Sequence, residues 1–287
     1  MTTVMNRSRK RFSFSDLPLV LASALVWLYG ALLALPIYFI FISAFKENSK
    51  IFLKPASLPE NWSWSNFIRA WEAASLLEAL TNSLLVVGAA LLLNLMLAVP
   101  AAFGIARSNN RLSKLMEGMF AMGFLIPAFA ALVATVLLSI WLDMFHTKSF
   151  LTLYYTAMTL PLSVLLIANY MRAIPKEIAE SAVIDGANSR QILMFIYLRM
   201  SMPAISATLV VNFVALWNEY IFALILAGPK PSNMTVQVAL PTLAGIHETE
   251  FGLVAAGTVI SLIPVFFVYS ILQRRLEGAL AAGSVTG

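Results

Sequence analysis

Glu219 has the clearest claim to chemistry in this sequence. It stands in Trp217-Asn-Glu-Tyr220, inside a long apolar run, about two-thirds of the way along it. A carboxylate at that depth costs about 2.5–3.5 kcal/mol on insertion scales, so it should face protein or water and keep a donor such as Asn218 beside it. Two readings follow with equal weight. The carboxylate and its neighbours Trp217, Asn218 and Tyr220 line a path through the membrane, or they form a structural hydrogen bond that orients a helix. Other chemistry is excluded by residue type. There are no cysteines, so disulfides and thiolate sites are absent. The only histidines, His146 and His247, are too far apart for a metal motif, so no metal site is expected. Neither Gly-x-Ser-x-Gly nor His-Glu-x-x-His occurs. Nor is there a Gly-x-x-x-x-Gly-Lys-Ser/Thr loop, so the chain cannot cradle ATP phosphates in the usual way.

The second stretch with chemical potential is Pro175–Pro203, charged and largely helical between two apolar runs. Pro175 suits the first turn of a helix, and Glu177 and Glu180 complement its positive end. Ala179, Ala182, Val183, Gly186 and Ala187 recur at helical spacing and give one face of small side chains, against which another surface could approach closely. Gly186 lets the chain turn, and Asn188 with Gln191 predicts a capping box for a second helix. That helix, Ser189 to Met202, is apolar nearly all round and is expected to be buried. A push on the first helix would then reach the following apolar run as a rigid-body motion, although the same periodicity fits an amphipathic loop helix resting on the membrane surface.

The elements that must position these residues are membrane spans. Of 287 residues, 60% are apolar and 11% charged, against the roughly 25% charge of a soluble domain. Six stretches can cross about 30 Å of hydrocarbon: Leu17–Ala44, Asn82–Ala106, Leu115–Leu142, Phe150–Arg172, Ala204–Ala227 and Gly252–Gln273. All are expected to be helices, because a spanning segment must satisfy its own backbone polar groups. The fold class is therefore an all-α polytopic membrane domain occupying the whole chain. The first run is too long for a cleaved signal and reads as an uncleaved span. With the N-terminus inside, Arg7, Arg9, Lys10, Arg11, Arg107, Arg111, Lys114, Arg172, Lys176, Arg190, Arg199, Arg274 and Arg275 are cytoplasmic. Lys46, Lys50, Lys54, Arg69, Lys148 and Lys230 lie outside. The 13-to-6 excess places both termini, and the 175–203 stretch, in the cytoplasm. The net charge of +5 comes from short clusters beside spans, which suit lipid headgroups and not nucleic acid.

Further expectations attach to single residues. Pro100 and Pro161 should bend the second and fourth spans. Asn94 and Asn169 should bond to neighbouring helices. Trp62, Trp64, Phe67 and Trp71 read as an aromatic anchor at the headgroup level or as a docking surface for an external protein, and Ser65 is expected to cap a short amphipathic helix running toward Leu80. The outer loop 229–251 is long for a plain connection, which points to a use.

Glu180-Ser-Ala182, Gly186, Ile196 and Leu198 resemble the cytoplasmic loop of bacterial ATP-binding-cassette importer permeases, and Asp185-Gly-Ala187 and Pro203 fit as well. The whole chain looks like the six-span permease of the maltose-type carbohydrate importers. Asn82-Ser-Leu84, Ala101-Ala-Phe-Gly-Ile-Ala-Arg107, Trp217-Asn-Glu-Tyr220 and the terminal Ala281-Ala-Gly-Ser-Val-Thr-Gly287 carry that likeness. Two positions depart from the pattern: Ser181 replaces an alanine, and Arg199 replaces a proline, which moves the expected bend elsewhere. The resemblance implies a bacterial inner-membrane importer of a sugar or oligosaccharide, or else of a sugar phosphate or polyol. It implies coupling through Glu180, Ser181, Ala182, Asp185, Gly186 and Ala187 to two cytoplasmic ATPase subunits, which would bind ATP and Mg while this chain holds no cofactor. A second homologous permease and an extracytoplasmic solute-binding protein would complete the assembly, the binding protein meeting the 229–251 loop. A stand-alone ion-coupled carrier is the competing class, disfavoured by a single deep carboxylate.

Overall fold

The computed structural model describes the backbone of residues 17–245 and 249–284, and the side chains of 22–245 and 249–271. The basic cluster Arg7–Arg11, His247 and residues 285–287 lie outside the described residues. The described chain is helical, and its one β-type contact is an isolated bridge between Ala244 and Thr249.

Four spans are single helices: Leu17–Ser43, Leu76–Arg107, Lys148–Arg172 and Phe251–Ser284. The second begins at Leu76, six residues before the expected start. A left-handed Ser75 (φ 46°) separates it from the short helix Ser65–Ala73. That short helix starts at Ser65 with Trp64 in the capping position, so Ser65 is not its cap, and it ends well before Leu80. Pro100 and Pro161 sit inside continuous helices.

The other two spans are broken. The third is Arg111–Leu125 followed by Ala128–Trp141, with a 91° change of direction. Pro127 causes it, since a proline forces the residue before it out of helical backbone, and Ile126 is extended (φ −71°, ψ 119°). The fifth is approached by Ser189–Met200, which runs straight through Arg199 and turns by 70° at Ser201 into Met202–Trp217. The expectation of an uninterrupted span to Ala227 is corrected at its outer end. Helical backbone stops at Trp217, is absent at Glu219 and Tyr220, and resumes at Ile221 before the π-helical turn Ala223–Ala227.

The second and fourth spans pair along their length and form the centre of the bundle. The fifth packs on the fourth and sixth. Inside a membrane the drive for such pairing is close packing and interhelical hydrogen bonding, since lipid tails are as apolar as leucine. The fourth span supplies both kinds of contact. Thr159 accepts from Asn94 of the second span at 2.9 Å, and one turn on Ser163 accepts from Asn212 of the fifth at 2.9 Å. Asn169 instead accepts from Arg172 of its own helix at 3.2 Å, and Arg172 grips Glu117 of the third span with two bonds of 2.7 and 2.5 Å. Two apolar clusters flank this polar centre. One gathers Phe45, Leu76, Tyr155, Trp217 and Leu243, and the other gathers Ile105, Ile167, Ala179, Ile192 and Tyr197. Of the first span, the side chains from Ala22 to Phe41 are nearly bare.

Candidate functional site

The 175–203 stretch folds as a short helix, a turn and a second helix. Lys176–Ile184 is helical, with Pro175 at its N-terminal cap. It closes in a Schellman turn. Ala187 N–H donates to the Ala182 carbonyl at 2.9 Å and Gly186 N–H donates to the Val183 carbonyl at 3.0 Å. That motif needs left-handed backbone at its pivot, and Gly186 supplies it at φ +85°. The next helix opens with the expected capping box, Asn188 and Gln191 exchanging two bonds of 2.9 Å. Both ends of the turn are thus fixed by backbone hydrogen bonds, so the segment is a rigid corner.

The small-residue face is split: its three alanines turn inward, while Val183 and Gly186 stay outside. Ala179 is wholly buried, and Ala182 and Ala187 are half-buried at the edge of the same cluster. Their size lets the helix lie flat against the ends of this chain's own spans. The surface turned outward carries Glu180, Ser181, Asp185 and Gly186 together with two bare aliphatic side chains, Val183 (56% exposed) and Ile184 (86%). Periodicity shows which residues share a face but not what that face meets. The available clue was an isoleucine standing in a charged segment.

The second helix is less buried than expected. Ile192 and Tyr197 are covered, while Met194, Phe195 and Met200 are open. Arg107, at the end of the second span, donates to Tyr197 Oη at 3.2 Å, and Arg199 lies over the Phe195 ring at 5.8 Å. Between the corner and this helix runs a cleft lined by Asp185, Gly186, Gln191, Ile192 and Phe195. The corner therefore joins the second span through Tyr197 and the fifth through the bend at Ser201.

At the interruption of the fifth span, Glu219 is half-buried and its carboxylate is fully engaged. Oε2 accepts from Tyr155 Oη at 2.8 Å and from Ala223 N–H at 2.8 Å, and Oε1 accepts from Phe222 N–H at 2.8 Å. It acts as an N-terminal cap for the resumed helix, whose first N–H groups have no partner in the preceding turn. Tyr155, on the fourth span, was not anticipated. Its sequence signal is only a tyrosine pair, Tyr154-Tyr155, in an apolar run. Trp217 is 2% exposed, stacks on Phe213 and donates its indole N–H to the Ser261 carbonyl of the sixth span at 3.2 Å. Asn218 and Tyr220 are open. Asn218 donates back to the Val214 carbonyl at 2.8 Å and accepts from Gln237 at 3.3 Å. The four neighbours thus divide into one core anchor, one cap and two exposed polar side chains, of which Asn218 is hydrogen-bonded.

The 229–251 loop is folded back into the bundle. Met234, Thr235, Val236, Val238, Ala239 and Leu243 are buried, and the loop is exposed at 229–232 and, on either side of Leu243, at 241–242 and 244–245. Beside it Glu250 receives Arg69 at 2.6 Å, which holds its carboxyl below the usual glutamate range. Asn48 bonds to the Thr249 carbonyl and to Phe251 N–H. Trp62, Trp64 and Trp71 remain exposed on the same end, around an apolar groove floored by Phe45 and Ile260.

The profile of the family described as "Binding-protein-dependent transport system inner membrane component" matches residues 94–281. The diacetylchitobiose uptake system permease protein NgcG of Streptomyces coelicolor is 28% identical, over 92% of this chain and 88% of its own. The melibiose/raffinose/stachyose import permease protein MelC of Bacillus subtilis is 28% identical, over 88% and 91%. Among solved structures, a chain of a bacterial ABC transporter involved in the import of the acidic polysaccharide alginate superposes with a TM-score of 0.79. It shares 22% identity over 92% of this chain and 98% of that one, so that likeness speaks for the fold. The profile covers the broken third and fifth spans and the corner between the fourth and fifth, and this chain belongs to the family of inner-membrane components of binding-protein-dependent transport systems.

Proposed function

We propose that this chain is the membrane-spanning subunit of an ATP-driven importer that brings a sugar or oligosaccharide into the cytoplasm. The observation that carries the reading is the Lys176–Gly186 corner, rigid, bare on its outward side and continuous with the bend at Ser201. A separate ATPase subunit seats Glu180, Ser181, Val183, Ile184, Asp185 and Gly186, with Ala182 and Ala187 setting the corner's distance from the spans. ATP and Mg are bound there and not on this chain. Closure of two such ATPases tilts the fifth span against the second and fourth, opening the path alternately to each side. A second homologous permease faces this one, and an extracytoplasmic solute-binding protein docks on the end that carries 229–232 and 241–245. In this reading both termini and the corner are cytoplasmic, which the lysine and arginine distribution supports.

The substrate class rests on the relatives named above and on the chemistry at the fifth-span interruption. Asn218 and Tyr220 offer amide and phenol groups suited to hydroxyls, whereas Glu219 already accepts three bonds from this chain. A carboxylate engaged in this way has little capacity left for a coupling ion, which disfavours a stand-alone carrier. The test is ATP hydrolysis by the reconstituted assembly with its binding protein. Sugar-loaded binding protein should raise the rate, and Ile184→Glu should abolish that rise. Stimulation by a polyol or sugar phosphate alone would move the substrate class. Unchanged hydrolysis in Ile184→Glu would overturn the coupling role.

A further inference from the structure

The outer end holds a second polar constellation, built on Asn82 and Ser83. Both lie in the second turn of the second span and both are buried. Asn82 donates through Nδ2 to the carbonyls of Met234 (3.0 Å) and Pro231 (3.3 Å), and its Oδ1 accepts from Lys148 Nζ at 2.8 Å. Ser83 Oγ accepts from Val236 N–H at 2.8 Å. Nearby Asn233 donates to the His146 carbonyl at 2.8 Å. The Asn82, Ser83 and Asn233 bonds tie the segment 231–239 to the second span and to the loop before the fourth, and Lys148 holds Asn82 to the start of the fourth. The segment itself belongs to the fifth span, which it leaves at Gly228. Gly228 is left-handed (φ +82°), and a side chain there would meet the His146 ring at 3.0 Å.

We propose that Asn82, Ser83 and Lys148 form a polar clasp that holds the segment 231–239 shut over the outer end of the bundle, and that releasing it opens the outer gate. The inference deepens the importer reading and rests on it for the word gate. Its physical basis is connectivity. The Asn82 and Ser83 bonds join what the fifth span carries to the second span, and Lys148 fastens Asn82 to the start of the fourth. Any tilt of the fifth span relative to that pair must break them together or drag the segment along. The three bonds that cross to the segment are single side-chain contacts to backbone, with no helix hydrogen bond to lose when they part. The same segment reaches the fifth-span interruption, where Gln237 donates to Asn218 at 3.3 Å. Opening the clasp therefore also frees Asn218. Asn82 and Ser83 are thus positioning residues that act through the segment they hold.

Because the chain has no cysteine, Val238→Cys gives it a single thiol on the buried side of the segment. The assembled transporter in vesicles is treated from the binding-protein side with a membrane-impermeant maleimide. The proposal expects slow labelling at rest and labelling about tenfold faster when the ATPases are trapped with ATP and vanadate. In Asn82→Ala/Ser83→Ala, labelling is fast without nucleotide, and Ser83→Thr, which keeps the hydroxyl, stays slow. Ile42→Cys, buried near the same end but outside the clasp, reports general loosening. Equal labelling of Val238→Cys with and without the clasp overturns the proposal, as does a parallel rise at Ile42→Cys or no acceleration in the trapped state. Ile184→Cys separates this from the importer reading. If an ATPase subunit does not shield it, that reading fails, while a clasp-dependent difference at rest still identifies the fastening.

Discussion

Tyr155 donates its phenolic proton to Glu219 across 2.8 Å, and this one bond joins the fourth span to the interruption of the fifth. The same carboxylate caps Phe222 and Ala223, so it governs both where the fifth span stops and how it is held.

Removing either partner should act by different routes. Tyr155→Phe leaves the cap intact and costs roughly 1 kcal/mol, the usual size of an interhelical bond in a membrane. Glu219→Ala also strips the cap and should cost about 1–2 kcal/mol more. Thermal unfolding of the detergent-purified assembly should therefore rank native above Tyr155→Phe above Glu219→Ala. Equal melting of all three would mean the interruption is held elsewhere.

Trp217→Ala should lower the yield of assembled transporter as well as uptake. The ring is buried, stacked and bonded to Ser261, and truncation of such a side chain costs about 3–5 kcal/mol. Asn218→Ala and Tyr220→Phe, at open positions, should leave yield unchanged and reduce uptake. Quantifying membrane-inserted complex alongside uptake separates the two classes.

Gly252→Ala should destabilise the outer end by about 1–3 kcal/mol, because overpacking forces backbone to shift. An added Cβ would sit 2.6 Å from the Lys46 carbonyl and 2.7 Å from Asn66 Nδ2. That amide already bonds the carbonyls of Ala44 and Lys46 at 3.0 Å each, so it cannot retreat freely. Faster proteolysis between Lys46 and Asn66 would register the change, and native-like resistance would contradict it.

The Arg69–Glu250 pair predicts a pH effect of definite sign. The guanidinium holds Glu250 below the ordinary glutamate value. Its contribution is full above that value and is lost as pH falls through the depressed one. The pair is about half exposed, so the whole effect should stay below about 1 kcal/mol. Melting temperatures of native and Arg69→Ala should differ slightly at neutral pH and converge in acid. A gap that widens on acidification would contradict the assignment.

Much of this architecture could be read from sequence because its signals are local. Gly186, the Asn188–Gln191 box and the long apolar runs each declare themselves within a few residues. The 91° break in the third span was announced by Ile126-Pro127 but was masked by continuous hydrophobicity on either side. The interruption at Glu219 was harder, since what permits it is a tyrosine more than sixty residues earlier. The direction of the Ala179–Ala187 face needed the tertiary structure, because the same small side chains could serve a foreign surface or the chain's own spans. The burial of Met234–Leu243 likewise depends on Asn82 and Ser83, which in sequence are only two polar residues at the edge of a span.

Seating of the corner on a cytoplasmic ATPase places Ile184 in direct contact with that subunit. An Ile184→Cys chain carrying a photoreactive thiol reagent, irradiated in the assembled transporter and digested for mass spectrometry, should yield adducts to the ATPase subunit. Adducts confined to lipid or to an extracytoplasmic protein, or labelling of the thiol by impermeant reagent from outside the cell, would contradict the seating of that corner on a cytoplasmic motor.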